Sequence, residues 1–206
     1  MKTDFKHIYL PGDPALPVLL LLHGTGGDEQ DLVELGQAVA PGSAILSVRG
    51  KVLENGMPRF FRRLSEGVFD LEDLAFRTQE LADFITEART EYNLTQPIYA
   101  LGFSNGANIA GSLLLSRPEI LDGAVLLRAM VPFEPETLPD LSGKKILLLS
   151  GLMDPIIPVD NAKRLSWILK ESGADITFTM KPAAHGLTPS DFSDIKNWID
   201  REHHAR

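Results

Sequence analysis

The sequence predicts an α/β protein in which helices cover both faces of a mostly parallel central sheet, with no large cap domain. Short apolar segments alternate with longer segments of helical period along the whole chain, a pattern typical of βαβ units. One apolar segment, Val18-Leu19-Leu20-Leu21-Leu22, contains no polar residue, as expected of a strand that is buried on both faces. Neither a repeat nor a linker interrupts the alternation, so we expect residues 1–206 to form one domain.

The first half of the chain is expected to contain three strands of the sheet and two helices. The strands cover residues 5–10, at a sheet edge, 18–22 and 44–48. A helix over residues 29–40 follows the N-cap Asp28, and a longer helix over residues 71–92 follows the N-cap Asp70. Residues 49–69 between these elements have no clear period and contain glycines and a proline. This pattern predicts an irregular loop, and loops of that length are usually functional or mobile.

The second half of the chain is expected to continue the alternation to its end. Strands are expected over residues 98–101, 123–127, 145–150 and 175–180. Helices are expected over residues 105–116, over 160–172 with Asp160 as N-cap, and over 190–202 with Ser190 as N-cap. Residues 130–143 contain several prolines and acidic residues, which predicts an excursion on the surface.

A possible nucleophile lies where a predicted strand meets a predicted helix, in Gly102-Phe103-Ser104-Asn105-Gly106. This segment fits the Gly-x-Ser-x-Gly nucleophile elbow, in which a strained turn lifts the serine hydroxyl clear of the sheet. Glycine is needed at 102 and 106 because side chains there would collide with the neighbouring strand and helix. An ordinary glycine-rich turn is the alternative, so the rest of the chain has to provide a base, an acid and an oxyanion hole.

His185 is the candidate general base, because it follows the last predicted strand, at the sheet edge where Ser104 is expected. His23 begins a glycine turn, where its ring could serve as a packing or supporting group. Asp154 is the candidate partner of the imidazole, because it closely follows the strand over residues 145–150, whereas Asp160 is expected to begin a helix. The order Ser104, Asp154, His185 is the one found in α/β-hydrolases.

The oxyanion hole and the substrate pocket are predicted from two further segments. The Asn105 N–H lies at the start of a helix, and the turn His23-Gly24-Thr25-Gly26-Gly27 allows the Thr25 N–H to point inward. A phosphate-binding turn is a weaker interpretation, because no Gly-Lys-Ser/Thr sequence follows. Phe60, Phe61 and Met130 are candidates for an apolar pocket wall, with core or lid packing as an equal alternative.

Composition excludes several function classes. The formal charge of −8 argues against a nucleic-acid partner, and the absence of cysteine excludes a cysteine nucleophile, a thiolate metal site and a disulfide framework. The N-terminal residues lack the apolar core of a signal peptide, and no apolar run reaches membrane-spanning length. We therefore expect a cytoplasmic protein without a membrane span.

With these residues in place, the chain resembles the phospholipase/carboxylesterase family of α/β-hydrolases, which includes the acyl-protein thioesterases. The resemblance covers nearly the whole chain and depends on four segments: Leu22 to Glu29, Gly102 to Ala107, Gly151 to Pro155, and His185-Gly186. It implies a serine nucleophile with Asp154 and His185 as partners, an oxyanion hole at Thr25 and Asn105, and no metal or organic cofactor. Asn55 to Phe61 and Leu126 to Pro132 resemble the bacterial branch with hydroquinone-linked carboxylesterases.

The expected function is hydrolysis of small carboxylic esters through an acyl-enzyme on Ser104. Acyl-protein thioesterases usually carry Gln after the serine, whereas this chain has Asn105, which argues against a long acyl tunnel and a protein substrate. Thioester or lysophospholipid hydrolysis and a non-catalytic binding protein are the alternatives. Dienelactone hydrolases share the fold but use a cysteine that this chain lacks. Residues 130–138 or the edge strand could pair two copies in a homodimer.

Overall fold

The computed structural model describes the backbone of residues 4–204 and the side chains of residues 4–202. The strands in this range are β1 (His7–Leu10), β2 (Val18–Leu22), β3 (Ala44–Val48), β4 (Val52–Glu54), β5 (Met57–Arg59), β6 (Arg63–Ser65), β7 (Val68–Phe69), β8 (Ile98–Phe103), β9 (Gly123–Leu127), β10 (Lys145–Gly151) and β11 (Asp175–Lys181). The helices are α1 (Val33–Val39), α2 (Leu71–Glu91), α3 (Asn105–Ser116), α4 (Val159–Glu171) and α5 (Pro189–His204).

Seven of the described strands form one sheet in the order β1-β3-β2-β8-β9-β10-β11. Only β1 is antiparallel to its neighbour in this sheet, and the other pairs are parallel. The carboxyl ends of β2, β8, β9, β10 and β11 therefore meet along one edge, where ligands bind in sheets of this kind. The predicted α/β class with a mostly parallel sheet is confirmed.

Helices cover both faces of the sheet, as its alternating side chains require. Val18, Leu20 and Leu22 of β2 pack into one core with α2, α3 and α4. Leu19 and Leu21 of the same strand pack into a second core with α1 and α5. Both sets are buried, which explains why this strand has no polar position. Among the described residues, none of the helices combines the length and apolar character needed to cross a membrane.

Three predicted N-caps are wrong, because each of these helices begins at another residue. The Asp28 carboxylate accepts a hydrogen bond from the Gln30 N–H at 2.8 Å in a turn, and α1 begins later, at Val33. The residue before α4 is Pro158, and Asp160 lies in the first helical turn with its side chain 97% exposed. Ser190 lies inside α5, which begins at Pro189, because proline is favoured in the first turn of a helix. The remaining predicted cap, Asp70, accepts from the Asp73 N–H at 3.1 Å.

The predicted irregular loop over residues 49–69 is instead two short hairpins, β4–β5 and β6–β7. Asn55 and Gly56 connect β4 to β5 with φ values of 51° and 80°, the left-handed pair that a tight hairpin turn requires. Gly67, with φ 74°, lies in the turn between β6 and β7. The Asn-Gly pair was therefore a signal for the first hairpin.

The segment over residues 130–143 is irregular, as expected, but it is not purely a surface excursion. Leu138 is exposed, whereas Met130 and Leu141 are buried. Both ends of the segment are thus anchored in apolar cores.

Candidate active site

Ser104 lies in a strained turn between β8 and α3. Its φ of 52° and ψ of −114° place it in a region that residues with a side chain rarely adopt. The Ser104 N–H donates to the Leu127 carbonyl oxygen at the end of β9, at 2.8 Å. The turn is thus held from the neighbouring strand, and the serine side chain stands at the carboxyl edge of the sheet.

The glycines on either side of Ser104 allow backbone to approach backbone. A Cβ atom on Gly102 would lie 2.6 Å from the Gly106 carbonyl oxygen, and a Cβ atom on Gly106 would lie 2.0 Å from the Leu22 carbonyl oxygen. Real Cβ atoms essentially never come so close to another heavy atom. The helix after Ser104 can therefore pack directly against β2 and β8 only with glycine at these positions.

His185 connects Ser104 to Asp154 in one hydrogen-bonded chain. His185 Nε2 lies 2.9 Å from Ser104 Oγ, and His185 Nδ1 lies 2.8 Å from Asp154 Oδ2. The other carboxylate oxygen of Asp154 accepts from the N–H groups of Ile156 and Ile157, at 2.8 and 3.1 Å. Because the Asp154 side chain is buried and held at both oxygens, it orients the ring with Nδ1 as donor and Nε2 as acceptor.

Two backbone N–H groups lie at this site with no acceptor inside their own element. Asn105 is the first residue of α3, so its N–H has no partner within the helix. In the glycine turn, the Gly26 N–H donates to the Pro58 carbonyl oxygen and the Gly27 N–H to that of Gly24. Neither of these bonds involves the Thr25 N–H. Thr25 and Asn105 line the same cavity as Ser104 and His185.

His23 lies outside this relay and has a structural role. Its Nδ1 is 2.6 Å from the Gly24 carbonyl oxygen, and its Nε2 accepts from the Gly50 N–H at 3.0 Å. Its ring packs against that of Phe60 with centroids 4.8 Å apart. Burial lowers the pKa of His23, so the ring is neutral and connects the end of β2 to the loop after β3.

Arg128, which sequence reasoning missed, holds the loop that carries His185. It follows β9 and is completely buried with φ 54°. Its guanidinium donates to the carbonyl oxygens of Ala184 and Gly186, both at 3.1 Å, so it binds the residues on either side of His185. The same group forms a two-pronged ion pair with the buried Asp191 of α5, at 3.1 and 2.7 Å.

The cavity next to Ser104 has a volume of about 280 Å³. Met130 lines it, whereas Phe60 and Phe61 do not. Phe60 and Phe61 are buried in the core, Phe60 against His23 and Phe61 against Phe69 at 5.0 Å between ring centroids. The two hairpins contribute other residues to the cavity wall: Arg59, Arg63, Glu66, Gly67 and Phe69. Among the side chains that the structure describes, no group of three or more His, Asp or Glu residues is placed to hold a metal ion.

Comparison with known proteins finds relatives that cover nearly the whole chain. The family model described as Phospholipase/Carboxylesterase matches residues 3–203. The chain is 46% identical over 194 residues to the hydrolase MhqD of Bacillus subtilis (strain 168). The matched region covers 94% of this chain and 96% of that protein.

Solved structures agree with this relationship. The chain is similar to the Bacillus cereus carboxylesterase, with a TM-score of 0.94, 47% identity, and coverage of 96% of this chain and 94% of that one. It is also similar to YahD, solved with malic acid, with a TM-score of 0.91, 31% identity, and coverage of 96% and 99%. The chain therefore belongs to the phospholipase/carboxylesterase family of α/β-hydrolases.

Proposed function

We propose that the protein is a serine carboxylesterase that hydrolyses small carboxylic esters through an acyl-enzyme on Ser104. The observation that carries this proposal is the continuous hydrogen-bonded chain from Ser104 Oγ through His185 to Asp154. A serine hydroxyl is a poor nucleophile unless a base accepts its proton, and His185 Nε2 is within reach of that proton.

In the first half of the reaction, Ser104 Oγ attacks the ester carbonyl carbon while its proton passes to His185 Nε2. The imidazolium that forms is stabilised by Asp154, which accepts from Nδ1. The negative charge on the former carbonyl oxygen is accepted by the N–H groups of Thr25 and Asn105, and each such donor contributes about 3 kcal/mol to lowering the barrier. The intermediate then collapses, and His185 gives the proton to the departing alcohol.

The second half repeats the same steps with water in place of serine. His185 Nε2 accepts a proton from a water molecule, whose oxygen attacks the acyl carbon. Collapse of the second intermediate breaks the bond to Ser104 Oγ, which takes the proton back from His185. The products are a carboxylic acid and an alcohol, and the enzyme returns to its starting state.

The size of the cavity favours small substrates. Its volume of about 280 Å³ lies just below the range of small-molecule pockets, which begins at about 300 Å³. The relative YahD was solved with malic acid, a small dicarboxylic acid, which also supports a small ligand. Thioesterase or lysophospholipase action on long acyl chains remains the second candidate, carried by the family relationship.

Hydrolysis of p-nitrophenyl esters from acetate to palmitate tests the proposal. We expect kcat/KM to fall as the acyl chain lengthens, and Ser104→Ala to abolish turnover. Ser116→Ala is the matched control, because this exposed serine lies at the other end of the same helix. Activity that rises with chain length would favour the long-chain candidate. Full turnover by Ser104→Ala would exclude the acyl-enzyme, and no turnover by the unchanged protein would favour a binding protein.

A further inference from the structure

Two arginines on the cavity wall share the carboxylate of Glu54. Arg59 and Arg63 both line the cavity beside Ser104. Arg63 Nε and Nη2 donate to the two carboxylate oxygens of Glu54, both at 2.9 Å, the geometry of a strong two-pronged pair. These bonds from Arg63 are the main reason that the pKa of Glu54 is lowered. The charge of Glu54 is thus largely taken up by Arg63.

Arg59 is left with little counter-charge although it is almost fully buried. Its side chain is 3% exposed, and Nη1 lies 3.4 Å from Glu54 Oε2, a long contact. The other acceptors are neutral: Nη1 donates to Thr25 Oγ1 at 2.9 Å, and Nε donates to the Phe61 carbonyl oxygen at 3.2 Å. Nη2 has no hydrogen-bond acceptor among the residues that the structure describes. Burial lowers the pKa of Arg59, which reflects the cost of keeping this charge away from water.

The same wall offers further hydrogen-bond donors. Asn105 is 2% exposed, its Oδ1 accepts from the Phe60 N–H at 2.7 Å, and its Nδ2 has no acceptor within residues 4–202. Asn108 also uses its oxygen, which accepts from the Met130 N–H at 2.8 Å, and this leaves its amide hydrogens for other partners. The carboxylate among the lining residues is that of Glu66, which is exposed to solvent at the rim.

We infer from this arrangement that the cavity selects esters that carry a carboxylate, with Arg59 as the residue that binds the carboxylate. The inference rests on the proposed esterase function and names its substrate class: monoesters of small dicarboxylic acids, or acyl esters of small hydroxy acids. A carboxylate only accepts hydrogen bonds, so it matches a wall of unused donors. It also provides counter-charge to Arg59, which Glu54 supplies only in part because it is bound at both oxygens by Arg63, in a site where charge-assisted hydrogen bonds are strong.

Two pairs of isosteric substrates test this inference. Methyl hydrogen succinate is compared with methyl levulinate, which has an acetyl group in place of the carboxylate on the acyl side. 3-Carboxyphenyl acetate is compared with 3-acetylphenyl acetate, which makes the same exchange on the alcohol side. We expect kcat/KM to favour the carboxylate in one of the pairs by about tenfold or more, mainly through KM, since a charged hydrogen bond has that value.

Variants of the three charged residues change this ratio in opposite directions. Arg59→Gln removes the preference. Arg63→Gln lowers it, because Glu54 then pairs with Arg59 alone, whereas Glu54→Gln raises it, because Arg59 then loses its carboxylate contact. Arg62→Gln is the matched control, since this neighbouring arginine is 62% exposed and pairs with Asp70 away from the cavity. The ratio of kcat/KM values within each substrate pair is unaffected by a general loss of turnover. If Arg59→Gln does not fold, Arg63→Gln and Glu54→Gln still test the inference.

Equal or better hydrolysis of the neutral ester in both pairs would overturn the inference while leaving the esterase function intact. A preference for the carboxylate that Arg63→Gln and Glu54→Gln both leave unchanged would also overturn it. If the unchanged protein hydrolyses neither these esters nor p-nitrophenyl acetate, the proposed function itself fails, and that outcome is distinct from the first two.

Discussion

At the scale of single residues, Arg128 shows how one side chain can position a loop that the sheet does not reach. His185 lies beyond β11, and its neighbours Ala184 and Gly186 are bound by the Arg128 guanidinium. Asp191 compensates the buried charge. A buried ion pair alone is weak support for stability, but the two carbonyl contacts give this pair a second effect, because they restrict where the His185 ring can lie.

Arg128→Met is expected to reduce both stability and turnover. It leaves Asp191 unpaired in the interior, which costs about 3–5 kcal/mol of unfolding free energy. A shift of the His185 ring by about 1 Å is expected to lower kcat by about 10²-fold with a smaller change in KM. Urea denaturation and ester kinetics measure the two effects.

The double variant Arg128→Met/Asp191→Leu separates stability from positioning. Removal of the unpaired carboxylate is expected to restore part of the stability, while kcat stays low because the Ala184 and Gly186 carbonyls still lack their donor. Recovery of kcat together with stability would show that Arg128 acts on the fold alone.

His23 makes a pH-dependent contribution to stability. Its pKa is lowered by burial from 6.5, so below that pH the unfolded chain binds a proton that the folded protein resists. Stability is therefore expected to fall as pH drops below about 6.5, by up to about 1.4 kcal/mol for each pH unit until the folded state also takes the proton. Urea unfolding at pH 7.5 and 5.5 measures this, and His23→Gln, although less stable at both values, is expected to show a smaller difference between them. An equal difference in the variant would contradict this assignment.

At the scale of elements, two glycines of α3 differ in whether the structure has room for a side chain. A Cβ atom at Gly106 would lie 2.0 Å from the Leu22 carbonyl oxygen, whereas one at Gly111 would meet only the Pro132 ring, at 3.6 Å. Gly106→Ala is expected to separate α3 from β2 and to abolish both the elbow geometry and turnover. Gly111→Ala, in the same helix, is expected to stabilise the protein by about 0.5–1 kcal/mol. Thermal unfolding of the two variants, compared at equal concentration, tests the contrast, and similar effects of both changes would refute it.

Elements with one dominant signal could be predicted from sequence. β2 is wholly apolar, and the predicted bounds of β2, β3, β9 and α3 agree with those observed. The elbow around Ser104 could also be predicted, because Gly102 and Gly106 stand where any side chain would clash. In these segments, local backbone requirements and tertiary packing favour the same structure.

Elements with competing signals could not be predicted as well. Asp28, Asp160 and Ser190 are all good N-cap residues, yet α1 begins five residues after Asp28, and Asp160 and Ser190 lie inside the first turns of their helices. Phe60 and Phe61 are apolar enough for a pocket wall or a core, and only the paths of the hairpins decide between these. The role of Arg128 in holding the His185 loop could not be predicted, since its partner Asp191 is 63 residues away in the chain.

At the scale of the whole molecule, the candidate site depends on many parts of the chain at once. Ser104 follows β8, Asp154 follows β10, His185 follows β11, and Thr25 follows β2. Arg128 connects the His185 loop to β9 and α5. The geometry of the site therefore requires the neighbouring strands from β2 to β11 in the sheet.

Activity and structure are accordingly expected to be lost together on denaturation. In a urea titration, the midpoint of ester turnover should coincide with the midpoint of far-UV circular dichroism, as for a two-state unfolding transition. Loss of turnover at clearly lower urea would show that the loops at the sheet edge open before the sheet does.

The hairpins between β3 and α2 have a consequence for how such enzymes diversify. They carry Glu54, Arg59, Arg63 and Glu66, while the proposed nucleophile, base and acid all follow strands of the central sheet. Selection could therefore exchange charges in these short hairpins and change which esters are accepted without altering the reaction machinery. Related proteins of this fold would then keep the same residues after the strands of the sheet and differ in which esters they hydrolyse, through substitutions in residues 52–69.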